Sequence, residues 1–157
     1  MPSLPPGYSI RRTQPRDFEN VVDTLRILTT VGDISREQFE DIVTYWNSTT
    51  INFHGKQIHA YHPRVILDGS GRVIATGTVF LERKIIHEGG LVGHVEDIAV
   101  AKDQQGKQLG LILIQHLTAL AHEHGCYKVI LDCDEKNVGF YEKCGYRRAG
   151  VEMDHRL

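Results

Sequence analysis

Apolar and polar residues alternate over Tyr8-Ser9-Ile10-Arg11-Arg12, the period of a first strand. The period then lengthens. Phe18, Val21, Val22, Leu25 and Leu28 recur at helical spacing behind Pro15 and Asp17, which predicts a helix stopped at Gly32-Asp33. Ser35 is placed to cap a second helix through Phe39, Ile42, Val43 and Trp46. Residues 47–62 are polar and irregular, with at most an extension of that helix. Strands at residues 64–67 and 73–83 flank Asp68-Gly69-Ser70-Gly71 and predict an antiparallel hairpin. Gly89-Gly90 precedes a strand at 91–100. A helix at 109–123 then presents Leu109, Ile112, Leu113, Leu117 and Leu120 on one face and stops at Gly125. A short strand at 128–132, a short helix at 137–144 and a final strand at 146–154 complete the pattern. The order β-α-α-β-β-β-α-β-α-β predicts an α/β fold, a mixed central sheet flanked by helices with at least one βαβ crossover.

One junction in this pattern carries chemistry. HVEDIAV (His94 to Val100) leads into QQGKQLG (Gln104 to Gly110), and a long helix follows. Gly106 and Gly110 permit close backbone approach, and the first helical N–H groups point back into the loop. Those groups and the helix dipole suit a pyrophosphate. Lys107 adds charge at the rim. The loop lacks the Ser or Thr of a mononucleotide loop and the third glycine of a dinucleotide loop. A loop of purely structural purpose is the other reading.

Composition narrows the class. At 157 residues, 41% apolar and 24% charged, the chain suits one soluble globular domain, residues 1–157. Its net charge of −2 supplies no general attraction to nucleic acid. The start MPSLPPGYS has no secretory pattern, and no stretch of about 20 apolar residues offers a transmembrane segment. Cys126, Cys133 and Cys144 are an odd number without zinc spacing and read as reduced thiols of a cytoplasmic protein. The 9 histidines form no ligand motif, so no metal site is expected.

Gln105-x-x-Gln108-x-Gly110 behind Ile98-Ala99-Val100 resembles the acetyl-coenzyme A loop of the GNAT acyltransferase superfamily. The stretches ILTTVG, ERKIIHEGGLVGHVEDIAV, GCYKVILDCDEKNVGFYEKCGY and GVEMDHR resemble its glucosamine 6-phosphate N-acetyltransferase family, the fungal members above all. The likeness covers nearly the whole chain except residues 47–62. Gln108 departs from it, since glycine is common there. The resemblance implies a single GNAT domain with strands splayed at the acetyl-CoA site. It implies acetyl-CoA as co-substrate and D-glucosamine 6-phosphate as acceptor. It also implies a homodimer and a place in UDP-N-acetylglucosamine synthesis.

On this resemblance Ile98, Ala99 and Val100 bind the pantetheine arm, and Gly106, Lys107, Gln108, Leu109, Gly110 and Leu111 take the pyrophosphate. Tyr127, Lys128, Asp132 and Tyr141 are further coenzyme contacts. Thr29, Lys84, Ile85, Ile86, His87, Glu96, Asp97, Ile98 and Arg156 are the substrate contacts, with positive charge for the sugar phosphate from Lys84, His87 and Arg156.

Three of these residues are the catalytic candidates. Asp132 orients the amine. Tyr141 protonates or hydrogen-bonds the departing thiolate. Glu96 takes a proton through water or bonds a sugar hydroxyl. Adjacent Glu96 and Asp97 point to opposite faces of a regular strand unless a bulge intervenes. Asp132 and Asp134 share a face if their strand continues, and Cys133 then faces away. Asp134 also reads as a turn residue bonding its own backbone, and Asn137 as a helix cap. No base adjoins a cysteine in sequence, which favours direct transfer over an acetyl-cysteine route. A GNAT enzyme for another small amine and an inactive acetyl-CoA-binding regulator are the competing functions.

Overall fold

A computed structural model describes residues 2–157. The strands β1 (Ser9–Arg12), β4 (Tyr61–Leu67), β5 (Val73–Arg83), β6 (Leu91–Val100) and β7 (Cys126–Ile130) form a sheet in the order β1-β4-β5-β6-β7. Neighbours are antiparallel up to β6, and β7 runs parallel to β6. The helix α4 (Leu109–Glu123) provides the crossover that a parallel pair requires. β2 (Thr50–Phe53) and β3 (Lys56–His59) form a separate hairpin.

Strand alternation sorts the core into two layers. Ile66, Ile74 and Val79 pack with Leu113, Leu117 and Ala121 of α4. Their neighbours Val65 and Val73 pack instead with Val21 and Val22 of α1 (Phe18–Leu25) and Phe39 and Val43 of α2 (Arg36–Ser48). The sheet therefore lies between α4 and the α1–α2 pair. Ser35 closes a capping box on α2: its hydroxyl accepts from the Gln38 N–H at 3.1 Å, and the Gln38 side chain accepts from the Ser35 N–H at 2.8 Å. Gly125, at φ 101°, ends α4 as expected. No helix among the described residues is long and apolar enough to cross a membrane.

Four expectations change. Residues 47–62 are ordered: they end α2, form β2 and β3, and begin β4 at Tyr61. Their hairpin turns on His54-Gly55, both with positive φ, a two-residue loop that a polar composition concealed. α1 ends at Leu25 and leaves Leu28 half exposed. β7 begins and ends two residues earlier than expected. Residues 146–154 form no strand, and Val151 and Met153 lie in solvent. A period-2 pattern makes a strand only where an edge accepts its hydrogen bonds, and this segment pairs with none.

Candidate active site

The site begins with a mismatch between β5 and β6. Thr76 pairs with Ala99 and Thr78 with Glu96, so Gly77 alone opposes both Asp97 and Ile98. The extra residue is a β-bulge with Asp97 in the left-handed region at φ 54°. Before it, Gly93 faces Ala121 of α4; after it, Ile98 lies over Gly77 on that same α4 side. The bulge thus shifts the alternation by one residue and frees Asp97 from the core. On the other side of β6, pairing with β7 stops at His94–Ile130. From Val95 to Val100 the β6 edge has no β7 partner, which leaves a wedge lined by strand N–H and C=O groups. An extended amide-bearing arm can bond there as a strand would.

The wedge opens toward QQGKQLG. Gly106 has φ 85° with open space around it, so its value is conformational. Gln108, the position that departs from the resemblance, is itself left-handed at φ 60° and precedes α4 without a side-chain cap. The Ile112 N–H is the first to return into the helix, to the Gln108 carbonyl. The N–H groups of Leu109, Gly110 and Leu111 therefore remain available at the positive helix end. Lys107 is tied back: its Nζ lies 2.9 Å from the Tyr8 hydroxyl and 2.8 Å from Gln104 Oε1. Both partners are neutral, so its charge stays uncompensated beside the loop. Gly110 also serves packing, because a β-carbon there would lie 3.3 Å from the Phe140 ring.

Beside the wedge is a cleft of about 590 Å³ lined by His94, Glu96, Asp132, Cys133, Tyr141 and Glu152, among others. Burial raises the Glu96 pKa, and the charges of Asp132 and Asp97 raise it further. Tyr141 comes from α5 (Val138–Lys143), and burial pushes its phenol up to about 12. It is a proton donor throughout the neutral range. Burial raises the Cys133 thiol, aided by Asp132 and Asp134, and holds Cys126 and Cys144 at about 11. No thiolate nucleophile is favoured here.

Several local expectations are revised. β7 ends at Ile130, so strand alternation does not govern Asp132, Cys133 and Asp134; Cys133 lines the cleft beside Asp132. Asp134 accepts the Asn137 N–H through its backbone carbonyl, at 2.9 Å. Asn137 precedes α5 without a side-chain cap bond.

Other candidates gather elsewhere. Lys84, Ile85, Ile86 and His87 occupy the β5–β6 connection, where His87 and Glu88 are left-handed within the single turn α3 (Ile86–Gly89). Ile85 is 97% exposed. The His87 ring stacks on Tyr127 at 4.0 Å, and Lys128 pairs with Val92. Tyr127 and Lys128 thus belong to this end of the sheet. Asp97 lies six positions along the strand from Leu91, about 20 Å at the ordinary rise. His87, Tyr127 and Lys128 are not among the residues that line the cleft of Glu96 and Asp132, whereas Lys84 lies at its edge through Glu82, whose carboxylate also holds His94. Thr29 is exposed just beyond α1, and Arg156 is exposed in the tail with Nε 2.8 Å from Asp154.

The sequence reading missed His94, Glu82 and Glu152. His94 and Glu96 are two apart on one strand and so share a face, a signal that was available. Glu152 reaches the cleft by the course of the tail, which no local pattern encodes; its carboxyl is raised by contact with Asp132.

Residues 28–146 match the acetyltransferase (GNAT) family model. The chain is 52% identical over 151 residues to glucosamine 6-phosphate N-acetyltransferase of Candida albicans, covering 96% of each. It is 38% identical to glucosamine 6-phosphate N-acetyltransferase 1 of Dictyostelium discoideum, over 94% of this chain and 89% of that one. The crystal structure of glucosamine-6-phosphate N-acetyltransferase from Arabidopsis thaliana superimposes with a TM-score of 0.85 at 32% identity, over 96% and 98% of the two chains. The chain belongs to the acetyltransferase (GNAT) family, in the branch of the glucosamine 6-phosphate N-acetyltransferases.

Proposed function

We propose that this chain transfers the acetyl group of acetyl-CoA to the amine of D-glucosamine 6-phosphate, giving N-acetyl-D-glucosamine 6-phosphate and CoA. The observation that carries this is the bulged, splayed β6, which joins a loop of free N–H groups to a cleft holding Glu96, Asp132 and Tyr141. The names of the relatives above supply the acceptor.

Residues 1–157 act as one N-acetyltransferase domain. Ile98 to Val100 hold the pantetheine arm, and residues 106–111 hold the pyrophosphate. Asp132 orients the amine, and Glu96, with its raised carboxyl, either takes a proton through water or bonds a sugar hydroxyl. The neutral amine attacks the thioester directly, and Tyr141 hydrogen-bonds or protonates the leaving sulfur. Acetyl-CoA is a co-substrate rather than a resident cofactor, and this chemistry requires no metal.

The exposed turn at residues 85–87, which does not line the cleft of its own chain, favours a homodimer. In it, Ile85, Ile86, His87, Tyr127 and Lys128 of one chain serve the cleft of the other, while Lys84 adds charge beside Glu82 of its own chain. Thr29, Asp97 and Arg156 add substrate contacts, with Arg156 at the phosphate. A cytoplasmic enzyme with this activity feeds UDP-N-acetylglucosamine synthesis.

CoA release measured with glucosamine 6-phosphate and with glucosamine, at matched concentrations, tests the reading. A strong preference for the phosphorylated sugar is expected. Equal turnover of both, or turnover of neither, overturns it.

A further inference from the structure

An aromatic row crosses the sheet on the α1–α2 side. Tyr61 pairs with Phe80, and Phe80 with His94. The Phe80 and His94 rings stack at 4.4 Å with only 5° between their planes. His94 Nε2 lies 3.0 Å from Glu82 Oε1, and the same Glu82 oxygen lies 3.4 Å from Lys84 Nζ. The His94 hydrogen bond, with help from Lys84, holds the Glu82 carboxyl below its ordinary value. An ionised carboxylate can only accept, so Nε2 carries the hydrogen and Nδ1 of the neutral ring keeps a free lone pair. His94 also lines the cleft with Glu96 and Asp132. Ring plane, tautomer and position are therefore all set by neighbours.

We propose that His94, oriented by Glu82 and Phe80, takes the proton that the acceptor ammonium must lose before it attacks. This rests on the acetyl-transfer reading above. Glu96, Asp132 and Glu152 surround the cleft with carboxylates, which favour the ammonium over the neutral amine and so oppose the reaction's first step. A carboxylate is also a weak base for this purpose. Imidazole is the side chain whose ordinary pKa lies nearest neutrality, which matches the task better.

The protons balance. One leaves the ammonium for Nδ1, directly or through one water, and the resulting imidazolium is held by Glu82 until solvent removes its proton. The amine's lone pair then forms the N–C bond, the C–S bond breaks with its electron pair on sulfur, and a second proton ends on the CoA thiol. The charged groups that touch His94 or share its cleft are Glu82 on β5, with Lys84 beyond it, Glu96 on β6, Asp132 after β7, Glu142 on α5, and Arg147 and Glu152 in the tail. Arg148 of the cleft wall is paired with Glu135.

The test is kcat/KM from pH 5.5 to 9.5 for wild type, His94→Gln and Glu82→Gln, with the CoA dissociation constant measured for each. Wild-type turnover of glucosamine 6-phosphate is the control for the underlying reading. With that turnover present, His94→Gln is expected to lose about 10²-fold in rate and its acidic limb. CoA affinity should hold, and added imidazole should restore part of the rate. Glu82→Gln should move the acidic limb to lower pH, because the imidazolium loses its counter-charge. A His94→Gln enzyme within about threefold of wild type with its acidic limb in place overturns the proposal. So does a parallel loss of CoA binding, which marks His94 as structural.

Discussion

Gly77 on β5 lies directly under Ile98 on β6. A β-carbon at Gly77 would overlap Cδ1 of Ile98 and come within 3.3 Å of Leu113. A side chain at Gly77 fits only if the end of Ile98 turns aside, so the wedge and the core are linked at this point. Gly77→Ala should cost about 1–3 kcal/mol by overpacking and weaken CoA binding as Ile98 is displaced. Denaturant melts and CoA titration check both; unchanged CoA affinity would separate Gly77 from the wedge.

Tyr141→Phe should reduce kcat by at least about 10²-fold while leaving the melting temperature nearly unchanged. With its phenol near 12, Tyr141 adds no ionisation between pH 6 and 9, so the wild-type profile should have no limb that this substitution removes. Wild-type kcat in the variant would make Tyr141 a packing residue.

Gln108→Gly should stabilise the fold by roughly 1 kcal/mol, since a left-handed side chain is strained by about 1–2 kcal/mol and glycine is not. Glycine's greater unfolded-state freedom takes back part of that gain. Activity should survive, because the loop acts through backbone N–H groups. A lower melting temperature would show that the Gln108 side chain contributes contacts that outweigh the strain.

Stability should fall as the solution is acidified through the histidine range. His62 is buried, its Nε2 is 2.8 Å from the His59 carbonyl, and its ring lies 4.7 Å from His124. Burial, then the His124 charge, depresses its pKa to about 3. The unfolded chain protonates His62 near 6.5, so the contribution is intact above that pH and declines as pH drops toward 3. The slope approaches about 1.4 kcal/mol per pH unit from this one group. Unfolding free energies at pH 7.5 and 5, for wild type and His62→Gln, measure it; an equal pH dependence in both would assign the effect elsewhere.

Arg156→Ala should raise KM for glucosamine 6-phosphate by about one to two powers of ten, the worth of a charge-assisted hydrogen bond. Turnover of unphosphorylated glucosamine should change far less. Arg156→Lys should recover only part, because a point charge lacks the two-pronged fork. An equal fractional loss of kcat/KM for both sugars would leave phosphate recognition to Lys84 and His87.

The periodicities of α2 and α4 and the apolar runs of β5 and β6 are local. Burial demands them, so they are legible in the chain, as are the Ser35 capping box and the Gly125 stop. QQGKQLG and the residues of HVEDIAV likewise announce a loop and strand for a coenzyme. Tertiary structure decided how those residues meet. The bulge exists because two residues of β6 oppose Gly77 of β5, a pairing between segments twenty residues apart. The same is true of the wedge, which forms where β7 stops at Ile130, and of His94, whose ring is set by Phe80 and Glu82 on another strand. Residues 146–154 make the converse case: their alternation is strand-like, but a strand needs a hydrogen-bonding edge, and no edge is written into a segment's own sequence.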